Sequence, residues 1–314
     1  MSTQVRFGVM MPFGPDYQTS RQIAQTAEAL GYDSLWVGDH LFSAPGPPDL
    51  PWMECWTFLS ALAAETRRVR LGTMTLCNGF RAPALLAKMV ATLDVISGGR
   101  LEVGIGSGWY EKEFLGYGYP FPKASARVRQ LDEALQILNL MWTERCITFK
   151  GEHYQLIEGY CEPKPVQRPR PPIHFGGDGE KLMLPLVARH ADWWNYWLST
   201  NSIEGFRHKL GVLERCCTEI GRDPATLGRS AIGQIMLGET EKELRLLVAE
   251  AEKDIHFGGR IGLQGTPAAI IKRIEEYRAL GVSLFIVAPT WFAGSDSWRS
   301  FLQLFAEQVM IQVR

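Results

Sequence analysis

The chain predicts a (β/α)8 TIM barrel of the α/β class, with insertions at the C-terminal face of its strands. Three observations carry that reading. Strand-like and helix-like runs alternate along nearly the whole length. The strand-like runs are apolar throughout, as parallel strands buried on both faces are. The 314 residues exceed the ~250 of a plain barrel, which leaves room for insertions within one domain spanning 1–314. An open doubly wound sheet is the competing architecture and requires two of the strands to be false.

The elements follow in order. Val5 to Met11 is a short apolar strand, and Ser20 to Leu30 places Ile23, Ala24, Ala27 and Leu30 on one helical face before the stop at Gly31. Ser34 to Val37 is the second strand, Thr57 to Thr66 a helix, and Val69 to Leu76 the third strand. Pro83 opens a helix to Ser97 from a first-turn position that needs no N–H. Leu101 to Ile105 is the fourth strand, and Val128 to Trp142 a long amphipathic helix. The fifth to seventh strands are Ile173 to Phe175, Asp192 to Tyr196 and Ile232 to Leu237, with helices at Lys181 to His190, Ile203 to Ile220 and Glu241 to Ala251. Thr266 and Pro267 open another helix as N-cap and first residue. Ser283 to Val287 is the eighth strand, and Ser297 to Val309 the last helix. Ala29 to Val37 and Ala279 to Val287 share one plan: helix end, glycine stop, apolar strand.

Stretches near 41–54, 110–125 and 143–172 interrupt the alternation. Long loops in a compact barrel are usually functional, and barrel sites form where strands end. These three stretches are expected to wall a pocket.

Composition excludes several classes. Hydrophobic residues are 46% of the chain and charged residues 21%, with 33 basic against 34 acidic side chains and a formal charge of −1. No block of like charge points to nucleic acid or an anionic membrane. No apolar run approaches the ~20 residues of a membrane helix, and the first residues lack a signal-peptide layout. Six scattered cysteines without a C-x-x-C pair read as reduced thiols in a cytoplasmic protein. No cysteine or histidine cluster has metal-ligand spacing, so no metal site is expected. His153, His174, His190, His208 and His256 are read as structural or surface residues, and Arg67, Arg68 and Arg70 as a solvated helix end.

Three segments at strand ends carry chemistry. Asp39-His40 closes the second strand, where barrel sites lie; the alternative is a loop-capping Asp and a packing His. Gly104-Ile105-Gly106-Ser107-Gly108-Trp109 lets the backbone approach a flat ring or a phosphate, or simply turns. It is not the G-x-G-x-x-G dinucleotide fingerprint. Gly176-Gly177-Asp178-Gly179 precedes a helix and reads either as an anion site aided by Lys181 or as a tight connection capped by Asp178. The aromatics Trp193, Trp194, Tyr196 and Trp197 read mainly as packing, with one ring available to a pocket.

Taken together the segments resemble the luciferase-like monooxygenase superfamily, in its coenzyme F420-dependent oxidoreductase branch. The residues that carry the resemblance are Gly38-Asp39-His40, Arg70-Leu71-Gly72-Thr73, Ala91 through Arg100 and Gly104 through Trp109, then Glu162 through Gln167, Pro171-Pro172-Ile173, Gly176-Gly177 and Ala188 through Asp192. The resemblance spans roughly Val5 to Trp197. It implies a barrel that holds a deazaflavin, coenzyme F420, or alternatively FMN, at the strand ends. It places a bulge with a non-proline cis peptide at Met74-Thr75, within Thr73-Met74-Thr75-Leu76, behind the central ring. It puts Asp39 and His40 at the reactive edge of the ring, as catalytic residues. Thr73, Met74, Thr75, Gly106, Ser107, Gly108 and Trp109 surround the ring, together with Asp39, and Gly176, Gly177, Asp178 and Gly179 take the phosphate. The sugar-phosphate dehydrogenases of the superfamily share His40, but their catalytic glutamate falls at Trp109 and their pocket tryptophan at Ala44. That departure argues against a glucose-6-phosphate-type substrate and leaves Glu113 and Tyr110 as candidate acid or base. The resemblance also implies a homodimer built through barrel helices.

The expected function is hydride transfer between F420 and a small organic substrate. The alternative is an FMN-dependent monooxygenase using reduced flavin and oxygen. A metal-dependent hydrolase lacks an H-x-H pair at Met10-Met11-Pro12, and a catalytically silent ligand-binding barrel is the remaining class.

Overall fold

A computed structural model describes residues 4–12, 16–43, 47–198, 202–251, 261–289 and 295–314. Ala44 and His256 lie outside the described residues.

The chain runs β1 (Arg6–Met10), α1 (Tyr17–Ala29), β2 (Ser34–Val37), α2 (Cys55–Glu65), β3 (Arg70–Thr73), β4 (Leu76–Cys77) and α3 (Pro83–Ser97). It continues through β5 (Leu101–Gly106), α4 (Glu111–Gly116), α5 (Ala124–Thr143), the hairpin β6 (Ile147–Lys150) and β7 (Gln155–Gly159), β8 (Ile173–Gly176), α6 (Met183–His190), β9 (Trp193–Trp197) and α7 (Ile203–Glu219). It ends with β10 (Gly228–Leu237), α8 (Glu241–Ala251), β11 (Ile261–Gly265), α9 (Pro267–Arg278), β12 (Val282–Pro289), α10 (Ser295–Phe305), a π-helical turn over Ala306–Met310 and α11 (Ile311–Val313).

Eight parallel positions close into a ring in the order β1, β2, β3, β5, β8, β9, β10, β12, and β12 pairs back to β1. The barrel replaces the open-sheet alternative. In this ring β10 stands four strands from β3 in either direction, so the two face each other across the lumen. The Met74–Thr75 peptide is cis, and the third strand is split there into β3 and β4. The continuous strand expected over Val69 to Leu76 is thereby corrected. A further correction is β11, absent from the sequence reading, which pairs with the upper part of β10 beyond the point where β9 stops. The hairpin β6–β7 lies in the third insertion and α4 in the second.

The sequence signals account for the better-defined elements. In α3, Pro83 sits at the first turn, and Gly98 ends the helix in the left-handed conformation at φ 67°. A main apolar core lies between strands and helices, and a smaller one of Trp36, Met74, Ile232, Leu284 and Ile286 fills the lumen. Trp36 is fully buried, and a Cβ at Gly8 or Gly72 would overlap its ring.

Below Trp36 the lumen is closed by a polar layer. Glu102 and His174 are both buried, with Oε2 and Nε2 2.7 Å apart. Arg70 bonds the other oxygen of Glu102, Arg6 stands 3.8 Å from it, and His174 stacks on Trp193. These opposite charges hold the Glu102 carboxyl down to about 2 against the desolvation that would raise it. Arg70 therefore belongs to the barrel floor, which corrects its reading as part of a solvated helix end. Arg67 and Arg68 remain outside, their backbone N–H groups on Glu28.

Candidate active site

A cavity of about 800 Å³ opens at the C-terminal end of the barrel, and all eight strand ends contribute to its wall. That size suits a tricyclic ring with a small second molecule.

Asp39, past the end of β2, is buried and accepts three hydrogen bonds. Arg81 donates to both its oxygens at 2.7 and 3.0 Å, and the Cys77 N–H donates to Oδ2 at 2.8 Å. Asp39 thus ties β2 to the turn that follows β4. His40 is placed differently. Its Nδ1 lies 2.8 Å from Glu113 Oε2, and the Leu41 N–H donates to Glu113 Oε1 at 2.6 Å. Glu113, on α4, is buried, and the imidazole stands edge-on to Trp52 and Trp109, each 5.9 Å away. A carboxylate that accepts Nδ1–H leaves the lone pair on Nε2. That nitrogen has no hydrogen-bond partner among the described residues, and His40 lines the cavity.

The other expected residues divide into two groups. Met74, Thr75, Gly108, Trp109, Gly176, Gly177 and Asp178 line the cavity with Asp39 and His40. Thr75 sits between two bare backbones: a Cβ at Gly106 would lie 3.1 Å from its Oγ1, and one at Gly176 3.0 Å from its Cγ2. Gly108 needs its lack of a side chain, because its φ is +79° and a Cβ would lie 2.7 Å from both Cys77 and Phe114. Thr73, Gly106, Ser107 and Gly179 are not part of this wall. The Thr73 hydroxyl is buried against Gly104, donating to its carbonyl and accepting from its N–H. Ser107 faces a separate cavity of about 220 Å³ with Arg127, Gln130 and Tyr154. The Gly179 carbonyl accepts the N–H groups of Met183 and Leu184, so the turn starts there and α6 only at Met183. Asp178 does not cap that helix, whose N-cap Leu182 offers no side-chain bond.

Sequence reasoning missed several lining residues. Gln234 on β10 is 5% exposed, and its Oε1 is buried without a partner. Its signal was a lone amide inside the apolar run Ile232 to Leu237. Asn195 on β9 donates to Ser230 Oγ at 3.0 Å, and Trp197 and Trp298 complete an aromatic rim. Cys77 also lines the cavity, but burial pushes its thiol up to about 12, so it stays protonated and is a poor nucleophile.

Comparison with known proteins agrees with this geometry. The family profile described as luciferase-like monooxygenase matches residues 1–256. An FMNH2-dependent dimethylsulfone monooxygenase from Pseudomonas putida is 28% identical over 86% of this chain and 82% of its own length. An F420-dependent glucose-6-phosphate dehydrogenase from Amycolatopsis mediterranei (strain U-32) is 33% identical over 57% of this chain and 51% of its own. In fold, the chain superimposes on an F420-dependent secondary alcohol dehydrogenase in complex with an F420–acetone adduct, with a TM-score of 0.81, 20% identity and 99% of both chains covered. No helix among the described residues is long and apolar enough to cross a membrane. The chain is an oxidoreductase that belongs to the luciferase-like monooxygenase family.

Proposed function

We propose that this protein transfers a hydride between coenzyme F420 and a small organic substrate, with His40 moving the accompanying proton. The observation that carries the reading is the His40–Glu113 pair at 2.8 Å, opening onto a cavity backed by the Met74–Thr75 bulge. The cradle suits a flat ring: Gly108 and Gly176 line the cavity with bare backbone, and a Cβ there would displace the lining residues Cys77, Phe114 and Thr75. Asp39 would line the ring site while holding the bulge turn through Cys77. Backbone groups of Gly176 to Asp178 would hold the anionic tail.

When bound, the deazaflavin supplies a carbon centre that takes or gives two electrons as hydride. The protein supplies the rest. Nε2 of His40 accepts a proton from a substrate hydroxyl, or returns one to a carbonyl oxygen in reverse. Glu113 holds the tautomer and balances the imidazolium. It thus fills the carboxylate role left open when the expected glutamate position proved to be Trp109. Trp52 and Trp109 flank the imidazole edge-on and hold its orientation.

The second reading, an FMN-dependent monooxygenase using reduced flavin and oxygen, draws on the relative from Pseudomonas putida, whose match covers more of the chain. Titrating the protein with F420 and with FMN, followed by fluorescence quenching, separates the two. Saturable F420 binding, and substrate turnover that proceeds without oxygen, are expected. Tight FMN binding with no F420 binding, and oxygen consumption on supply of reduced flavin, would replace the first reading by the second.

A further inference from the structure

We infer that Arg81, which does not line the main cavity, is a positioning residue of the ring site: its forked guanidinium holds Asp39 and the wall Met74–Cys77 in one arrangement, so cofactor affinity depends on the fork and not on charge alone. The inference rests on the reading of this cavity as the ring site.

The first observation is connectivity. Arg81 follows the turn Asn78–Phe80 and precedes Ala82, the N-cap of α3. Its Nη1 donates to Asp39 Oδ2 at 2.7 Å and its Nη2 to Asp39 Oδ1 at 3.0 Å, and Nη2 also bonds Glu54. Glu54 in turn caps α2, accepting from the N–H groups of Trp56 and Thr57. One side chain thereby joins the end of β2, the start of α2 and the start of α3. Asp39 carries the link on to the wall, because the Cys77 N–H donates to its Oδ2 at 2.8 Å, and Met74, Thr75, Leu76 and Cys77 all line the cavity. The link also reaches His40 from two sides. Asp39 precedes it in the chain, and Trp52, two residues before Glu54, stands edge-on to the imidazole.

The second observation is burial. The Arg81 side chain is 10% exposed and that of Asp39 0%. A two-point pairing of guanidinium and carboxylate fixes direction as well as distance, which a single ammonium group does not. Removing one partner of a buried pair leaves an uncompensated charge, and that is strongly destabilising. Without Arg81 the Asp39 carboxylate would turn towards the nearest water, which lies in the cavity that Asp39 lines. It would leave the Cys77 N–H and enter the space of the ring. A lysine at this position would keep the charge but could not hold both oxygens of Asp39 and reach Glu54 as well.

Titration with F420 and, separately, with FMN tests this, read by fluorescence quenching and by the absorption band of the bound cofactor. For the cofactor that the parent binds, Arg81→Met should weaken affinity by about tenfold or more. Arg81→Lys should recover part of that loss, binding about three- to tenfold more weakly than the parent and with a displaced absorption band. The double variant Asp39→Asn/Arg81→Met should bind no more weakly than the weaker of its two single variants, because both changes break one link. Glu102→Gln, at the far end of the barrel, is the control for lost stability: it should melt lower and bind cofactor as the parent does. An Arg81→Lys variant with the parent's affinity and spectrum would overturn the inference, since charge alone would then suffice. A double variant whose loss is the product of the two single losses would overturn it too, as would Arg81 variants in which only the melting temperature falls. If Arg81→Met does not fold, Arg81→Lys, which keeps the buried charge paired, decides alone. A parent protein that binds neither cofactor overturns the ring-site reading and the inference with it, whereas parent binding that Arg81→Lys leaves unchanged overturns the inference only.

Discussion

The barrel contains two glutamate–histidine pairs of nearly equal length, one at each end and each on a buried carboxylate, and their surroundings give them opposite uses. At the floor, Glu102 and His174 stand 2.7 Å apart with Arg70 and Arg6 on the same carboxylate, and His174 is 0% exposed. At the mouth, Glu113 and His40 stand 2.8 Å apart, the carboxylate has one further N–H donor, and the His40 side chain is 22% exposed with Nε2 open. The floor pair is saturated by charge and closed by Trp36 and Trp193. Each histidine has a second nitrogen without a partner among the described residues, but that of His174 is buried and that of His40 faces a cavity. A histidine beside a carboxylate is therefore no marker of chemistry by itself; access to its second nitrogen is.

The comparison breaks most sharply at His40. His40→Ala is expected to lower turnover by about 10²- to 10⁴-fold, the range for a lost general acid or base, with an unchanged melting temperature. Steady-state kinetics beside a thermal melt checks it, and a melting loss without a kinetic loss would make the two pairs equivalent. At the other end, Glu102→Gln should cost on the order of 3 kcal/mol in denaturant unfolding, because two guanidinium groups and a histidine lose their shared counter-charge. Cofactor affinity should not change.

Glu113→Gln gives a smaller effect that only a positioning role produces. Turnover should fall by about tenfold or more, since an amide no longer balances the imidazolium formed as the proton moves. Asp39 and Arg81 stay paired nearby and hold the local charge otherwise constant. Glu113→Asp should restore part of the rate. Parent-like turnover in Glu113→Gln would reduce Glu113 to a packing residue.

The floor pair has its own pH signature. Glu102 is held at about 2 in the folded state, below its ordinary 4.5. The stability it contributes is fully present above the unfolded value and is lost as pH falls from about 4.5 towards 2. Unfolding measured across that window should show the loss in the parent and less of it in Glu102→Gln. The smallest effect concerns thiols. Exposed Cys146 should label first with iodoacetamide near neutral pH, and Cys77 in the cavity only slowly.

Much of the architecture was legible because local and global signals agreed. Pro83 and Gly98 bracket α3 at the residues the sequence marks, and the apolar runs at Ser34 to Val37 and Leu101 to Ile105 are barrel strands. What was missed had a weak or split signal. Ile261–Gly265 has two glycines and one glutamine in five residues, so no strand pattern stands out. The first half of β10 reads Gly-Arg-Ser-Ala, which looks like a loop until it is paired on both sides. The site was legible by segment and less so by atom. Asp39, His40, Met74, Thr75 and Gly176 to Asp178 converge, but spacing does not tell that Thr73 turns to Gly104 or that Asp39 is claimed by Arg81. The partnership of His40 and Glu113 bridges 73 residues, which no local pattern encodes.

The central claim is that the strand ends hold a planar ring between the Met74–Thr75 bulge and His40. A crystal structure of the complex with F420 tests it most directly. The account predicts a ring face against Met74 and Thr75, His40 Nε2 on the substrate side, and the tail along Gly176 to Asp178. A ring bound elsewhere, or one whose reactive edge points away from His40, would contradict it.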